Sequence, residues 1–297
     1  MATTSSGVQQ LYADIVADLV PYYMDAVLLP NQEIIQNSLI VAGSSGDQVR
    51  FPLTNSYTAA TNVDPGGNIA ATSSDFTPTS ANISFQKRGV ATDVHEEALE
   101  DGGMDMVRNA VLVRLSGGLA EATDVAGLSQ ANSSFTTHSD TGEASSNATT
   151  HRTSFVMSPE GMAYAAKREP IVKVWYNPNR DLHEFRGTVR NGFTVLRAGF
   201  GQRITANKTI GSATANVEAI AKGVANLRSQ NAPTGLDGSY IGIIDPALEF
   251  AINQQLAQVG GSTISSLSDI GNNALRDATI AMVAGVKLFR SNNLPDA

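Results

Sequence analysis

The chain has 297 residues, 42% hydrophobic and 16% charged, with a formal net charge of −8 and no cysteine. Its length permits one large or two medium domains with a substantial core, and the missing cysteines exclude disulfides, thiolate nucleophiles and zinc–thiolate sites. The acidic balance argues against a general nucleic-acid binder, which needs a basic stripe, although a neutral or acidic wall suits a container in which a packed polyanion must slide without sticking.

Met1 to Gly7 lacks the basic start and apolar core of a signal peptide, and no apolar run reaches membrane-spanning length, so synthesis in the cytosol is expected. The sequons Asn82-Ile83-Ser84 and Asn207-Lys208-Thr209 are then chance matches. Val8, Leu11, Tyr12, Ile15 and Leu19 share one helical face, and Pro21 just beyond is expected to end that helix. Ile34, Ile35, Leu39, Ile40 and Val41 form an apolar stretch, so the first forty residues are read as docking on the body or on a neighbour. A strand pattern, Gln48 to Leu53, is followed by some twenty-five residues dominated by Thr, Ser, Asn, Ala and Gly. A second strand pattern then alternates through Ile83 and Phe85, passes Lys87-Arg88-Gly89, and continues through Val90, Thr92 and Val94. Two strands joined by a long polar excursion describe an arm reaching away from a body. Thr54 to Asp75 offers too little apolar surface to offset its own ordering entropy, so it is expected to lie over a neighbour. Asp105 opens a helical stripe through Val107, Val111, Leu115, Leu119 and Ala122, a spine expected to run to Val125.

Ser129 to Thr150, rich in Ser, Thr, Asn and Gly, reads as a loop. Pro159 to Lys167 reads as a short helix opened by Ser158. Phe185 to Leu196 alternates like a strand and is expected to pair with Val90 to Val94. Val217, Ile220, Ala221, Val224 and Leu227 line a helix stopping near Asn231-Ala232-Pro233. A buried strand, Tyr240 to Ile244, runs into Asp245-Pro246, where the Asp caps a helix through Glu249, Phe250 and Ile252. A loop at Gly260-Gly261-Ser262 and a short helix near Asn273 to Arg276 precede a last strand, Gly285 to Phe289. Strands and helices interleave without regular βαβ spacing, so the fold class is mixed α+β. No internal repeat is visible.

Catalytic chemistry finds no foothold in the residues. His95, His138, His151 and His183 are scattered without ligand spacing, so no metal site is expected. His95-Glu96-Glu97 reads as a solvated helix start, where carboxylates favour the N-terminal dipole. Gly199-Phe200-Gly201 lacks the third glycine and the Lys-Ser/Thr ending of a phosphate loop and reads as a strand-end turn. Trp175, the single tryptophan, reads as a packed or interface anchor. No catalytic, cofactor-binding or metal-binding residue is therefore assigned. The charged share lies well below the roughly 25% usual for soluble proteins, which points to a surface covered by neighbouring subunits.

The N-terminal helix, the strand–arm–strand unit, the spine and the helix–strand–Asp-Pro–helix body, in that order, resemble the major capsid proteins of tailed bacteriophages. Gly242-Ile243-Ile244-Asp245-Pro246 and the terminal Ser291-Asn292-Asn293-Leu294-Pro295 resemble capsid segments of that family. The resemblance implies a Johnson-type (Hong Kong phage-type) capsid fold with an N-terminal arm over residues 1–42 and an extended E-loop over 43–89. It further implies a P-domain with the spine helix and rearranged closing strands over 90–206, and an A-domain with a return strand over 207–297. One departure stands out: the stretch from Ser154 to Ala163 and the strands from Arg186 to Phe200 precede the A-domain, where relatives would carry them after it. The implied function is a structural subunit that self-assembles through hexamers and pentamers into an icosahedral head around double-stranded DNA, in the virion, after synthesis in the host cytoplasm. Implied partners are identical subunits and scaffold, portal and decoration proteins, with no membrane and no cofactor. Lys–Asn cross-linking is not expected, because the arm offers only Lys87, at its base, and the Arg50 guanidinium is no nucleophile. The alternatives are an encapsulin-like nanocompartment shell, an enzyme of unknown chemistry, and a tail or fibre protein.

Overall fold

A computed structural model describes residues 3–31, 33–41, 46–53, 79–102, 104–143, 149–260 and 282–297. The arm tip from Thr54 to Asp75, the loop residues Gly261-Ser262 and the helix expected at Asn273 to Arg276 lie outside them.

Helix α1 spans Thr3–Ala26 and keeps Pro21 in its interior, contrary to the expected stop. A proline there removes one helical hydrogen bond, but packing offsets the loss: Leu19 and Tyr23, on either side, are both buried. The same helix folds back on its own subunit, with Leu11, Ile15, Leu19 and Tyr23 joining the core built on Val111, Leu115 and Leu119. Helix α2 (Glu96–Gly102) carries Glu96 and Glu97 in its first turn, favourable beside the helix N-terminus. Helix α3 (Met104–Ser134) has 31 residues and is thus roughly 46 Å long. It outruns the expected end at Val125 because Leu128 and Ala131 extend its buried stripe while Ser129 and Ser133 turn outward. Polar residues were confined to one face there, which a composition count over Ser129 to Thr150 cannot detect.

Two sheets lie along this spine. The first has the order β1-β7-β8-β4, from β1 (Asn37–Ile40), β4 (Gln86–His95), β7 (Met162–Asn177) and β8 (Leu182–Val195). The expected long-range pairing is present: β4 and β8 run antiparallel with Val90 opposite Gly187 and Val94 opposite His183. The helix expected over Pro159 to Lys167 is instead a tight turn followed by β7. Gly161 N–H donates to the Ser158 carbonyl at 2.9 Å, and the Ser158 hydroxyl donates to the Pro233 carbonyl at 2.6 Å. The alanine-rich run that follows is buried on both faces, so tertiary packing overrides its helical propensity. Ala163 and Ala165 meet the arm root, whereas Met162, Tyr164 and Ala166 face the other core.

The second sheet has the order β11-β12-β10-β6-β9-β5, from β5 (Thr136–Gly142), β6 (His151–Met157), β9 (Gly201–Asn207), β10 (Tyr240–Ile244), β11 (Met282–Val283) and β12 (Val286–Arg290). One face carries α4 (Val217–Ser229) and α5 (Pro246–Gly260), through Ile220, Val224, Leu227, Leu248 and Ile252. The other receives Leu128, Ala131 and Phe135 from the end of the spine. Asp245 caps α5 as expected, its Oδ2 accepting from Ala247 N–H at 3.0 Å. A division at residues 206 and 207 falls inside β9, and β6 and β9 share a sheet with β10, so this sheet is made from both sides of that boundary.

Candidate assembly surfaces

The arm leaves the body as a hairpin. β2 (Gln48–Leu53) and β3 (Thr79–Ser84) pair antiparallel from Gln48 opposite Ser84 to Leu53 opposite Thr79. Its root is fixed by Ile83 and Phe85, which bury against Ala163 and Ala165. Gly192 permits the crossing, because a Cβ there would stand 2.4 Å from the Ser84 carbonyl oxygen. Polar ties add to this: Phe85 N–H donates to the Asp47 carbonyl at 2.9 Å, Arg190 pairs with Asp47, and Lys167 donates to the Gly46 carbonyl. The described part of the arm is therefore held firmly at its base. Lys87 and Arg50 both lie exposed there.

Exposed apolar side chains lie on the outer faces of elements whose inner faces enter the cores, and on a sheet edge. Val16 and Met24 on α1, Met106 and Val113 on α3, and Leu39 and Ile40 on the edge strand β1 are examples. A groove of about 470 Å³ lies beside β1, lined in part by Tyr23, Met24, Val27, Ile40, Pro170 and Val189. Leu236 is fully exposed on a turn made rigid by Gly235 N–H to the Ser239 carbonyl at 2.8 Å and by Asp237, which accepts from the Ser239 hydroxyl at 2.7 Å. Gly238 at φ +76° closes that turn, in the left-handed region open to glycine.

Beneath the groove sits a polar network that the sequence reading missed. The Asp124 carboxylate, on α3, accepts from Leu29 N–H at 2.9 Å and from Leu28 N–H at 3.0 Å, and so latches the segment after α1 onto the spine. Burial pushes its pKa up to about 6, against the lowering effect of those two N–H groups. Thr123 next to it accepts from the Tyr23 hydroxyl at 3.2 Å and from Asn191 Nδ2 at 3.2 Å, and Arg88 donates to Asn191 Oδ1. One chain of contacts thus links α1, α3, β8 and the arm root. The available signal was an acid at the helical spacing that continues the buried stripe of Leu119 and Ala120.

The residues weighed for catalysis do not converge. His95 is exposed at the end of β4, His183 is buried with its ring 5.0 Å from Tyr176, and His151 bonds Glu143 at 3.0 Å. Among the described residues no group of three His, Cys, Asp or Glu side chains is placed to hold a metal ion, and no described helix is long and apolar enough to cross a membrane. Gly199 and Phe200 form a short 3₁₀ turn leading into β9. Trp175 is partly exposed and stacks with Arg186 at 4.2 Å from its ring centre.

No family model and no curated protein matches this sequence. Solved structures do. A chain of the procapsid of bacteriophage JBD30 superposes with a TM-score of 0.52 at 10% identity, the alignment covering 99% of this chain and 100% of that one. A chain of the JBD30 capsid decorated with minor capsid protein trimers gives a TM-score of 0.53 at 10% identity over 90% of each. A virus-like particle from Pyrococcus furiosus aligns at a TM-score of 0.44 and 7% identity over 65% of this chain and 98% of that one. The described α+β structure, from α1 through the arm root and the spine to the six-stranded sheet, is the fold of a bacteriophage capsid chain.

Proposed function

We propose that this chain is the structural major capsid protein of a tailed bacteriophage, self-assembling through hexamers and pentamers into an icosahedral head that encloses double-stranded DNA. The observation that carries the reading is the fold likeness to a phage procapsid chain, coextensive over 99% of this chain and 100% of that one. The hairpin root that carries an arm off the body and the low charged share support it, since closed shells are built from many modest interfaces repeated by symmetry. In this reading residues 1–42 form the N-terminal arm, 43–89 the E-loop, 90–206 the P-domain and 207–297 the A-domain with its return strand. Function then resides in contacts between identical subunits, with no catalytic turnover, in the virion. Scaffold, portal and decoration proteins are the further partners that such a head takes.

The test is expression of the full chain followed by size-exclusion chromatography, electron microscopy and nuclease treatment. Closed icosahedral particles are expected, with nuclease-protected DNA when the chain is produced in a phage-infected host. A chain that stays monomeric at every concentration overturns the reading, and closed particles that enclose proteins but never DNA move it to a nanocompartment shell.

A further inference from the structure

The four-stranded sheet has one face covered by α1 and α3 and one left bare beyond the arm root. Strand alternation assigns the faces. Val90 reaches Gly118 of α3, so Lys87, Gly89, Ala91 and Asp93 point the other way. On that outer face the register sets cation against cation: Lys87 lies opposite Arg190, which lies opposite Arg168, and Arg186 lies opposite Lys173. Like charges in direct cross-strand register repel. The repulsion is only partly relieved, for Arg190 reaches Asp47 and Arg186 reaches Glu184, while Lys87 and Lys173 are exposed and no described residue forms an ion pair with either.

The far end of the same face is acidic. Asp93 lies opposite Glu184, Glu96 and Glu97 open α2 directly after β4, and Asp181 is exposed at the turn between β7 and β8, beside Arg180. Lys87 and Asp93 stand six residues apart along β4, about 20 Å at the rise of a strand. The face is therefore a dipolar strip, with cations from Lys87 at the arm root as far as Arg186 and Lys173 at the level of Ala91, and carboxylates from Asp93 to the tip. Beside the cations, Gly89, Ala91 and Thr188 are small and let another surface approach closely. Trp175, its ring held by Arg186, supplies a rigid aromatic anchor of the kind that dominates contact energies.

We infer that this bare face is a self-complementary docking surface, on which the acidic end of one copy, carried by Asp93 and Glu97, seats on the basic strip of a second copy, carried by Lys87 and Lys173. The inference rests on the shell reading and names one of its contacts. Charge complementarity within a single sequence selects a second copy as the occupant. A nucleic acid fits less well, because its phosphates would meet Asp93, Glu97 and Glu184 on the same strip.

Two double variants and their combination test it: Lys87→Glu with Lys173→Glu, Asp93→Lys with Glu97→Lys, and all four together. All four residues are exposed, and circular dichroism checks that each variant is folded. Each double variant should lower the assembled fraction roughly tenfold at low salt, and the fourfold variant should recover it to within about twofold, because the swap restores opposite charges. Double variants that assemble like the parent overturn the proposal. So does a folded fourfold variant as defective as the doubles, or a basic-end variant that assembles normally yet loses enclosed DNA. If the parent forms no particle, the shell reading fails instead, and the contact is judged by analytical ultracentrifugation: parent self-association that both doubles abolish and the fourfold variant restores supports it, and equal behaviour of all four proteins overturns it.

Discussion

The two sheets handle burial differently. In the six-stranded sheet β10 is buried at all five positions, with α4 and α5 on one side and the end of the spine on the other. In the four-stranded sheet β4 alternates exposed and half-buried residues from Lys87 to His95, because only its inner face meets α1 and α3. A strand covered twice serves stability, whereas one covered once keeps a surface for something else. Gly242 in β10 shows how tight the first arrangement is: a Cβ there would lie 2.7 Å from Leu288 and 2.8 Å from Val286.

The largest expected effects ask whether the covered faces are equivalent. Phe155 in β6 and Phe185 in β8 are both fully buried, so Phe155→Ala and Phe185→Ala should each cost about 3–5 kcal/mol, measured by chemical denaturation. A markedly smaller cost for Phe185→Ala would mean that the inner face of the four-stranded sheet is loosely packed. Next comes Gly192→Ala. The added methyl group collides with backbone at Ser84 and with the Ile83 side chain, and strain of about 1–3 kcal/mol is expected, with faster amide exchange confined to β2 and β3. Exchange accelerated equally in β10 would show that the arm root and the body unfold as one unit.

The two regions should also differ in the sign of their pH dependence. Folding raises the Asp124 pKa from 3.8 to about 6, chiefly by burial. Between those values the folded state keeps a proton that the unfolded chain has released. The Asp124 contribution to stability is therefore complete below about pH 4 and lost as pH rises through 6. Glu143 shows the opposite balance. Burial pushes its pKa up, but the N–H groups of Thr214, Ala215 and Asn207 and the His151 ring outweigh it and hold the carboxyl below its usual range. Its contribution is present above the ordinary carboxylate range and lost as pH falls. Asp124→Asn should flatten a falling slope of stability between about pH 4 and 6, and Glu143→Gln a rising one at lower pH, both read from denaturation midpoints. Slopes of the same sign would break the contrast. The smallest effect is expected at the bare face: Trp175→Ala should change stability by only about 0.5–1 kcal/mol, the stacking with Arg186 being its main described contact, while reducing particle yield.

How much could be read beforehand follows the same division. The buried strand Tyr240 to Ile244, its Asp245 cap and the pairing of Phe185 to Leu196 with Val90 to Val94 were legible, because burial leaves periodic apolar runs and caps have their own chemistry. β7 was not, since Met162 to Ala166 is buried on both faces and an alanine-rich run without alternation looks helical. The end of the spine was hidden by serines on its outer side, and Pro21 misled because its local cost is overridden by the packing of Leu19 and Tyr23, two residues to either side. At the assembly surfaces, the two strands of the arm root could be anticipated from their alternation. The Asp124 latch and the charge register of the bare face could not, because both depend on which strands and helices meet.

The pairing of β4 with β8 also sets an order of events at the ribosome. β4 ends at His95 and β8 at Val195, so the inner-face valines Val90 and Val94 wait for a hundred residues before their sheet can close. At about 5–20 residues per second that wait is roughly 5–20 seconds. During it α1 and α3, both already synthesised, can pack together, while β4 remains an unpaired edge. The nascent chain is therefore most prone to misassociation in the interval between synthesis of the spine and completion of Val195, and a synonymous slow codon cluster in that interval should lower soluble yield more than the same cluster placed after it.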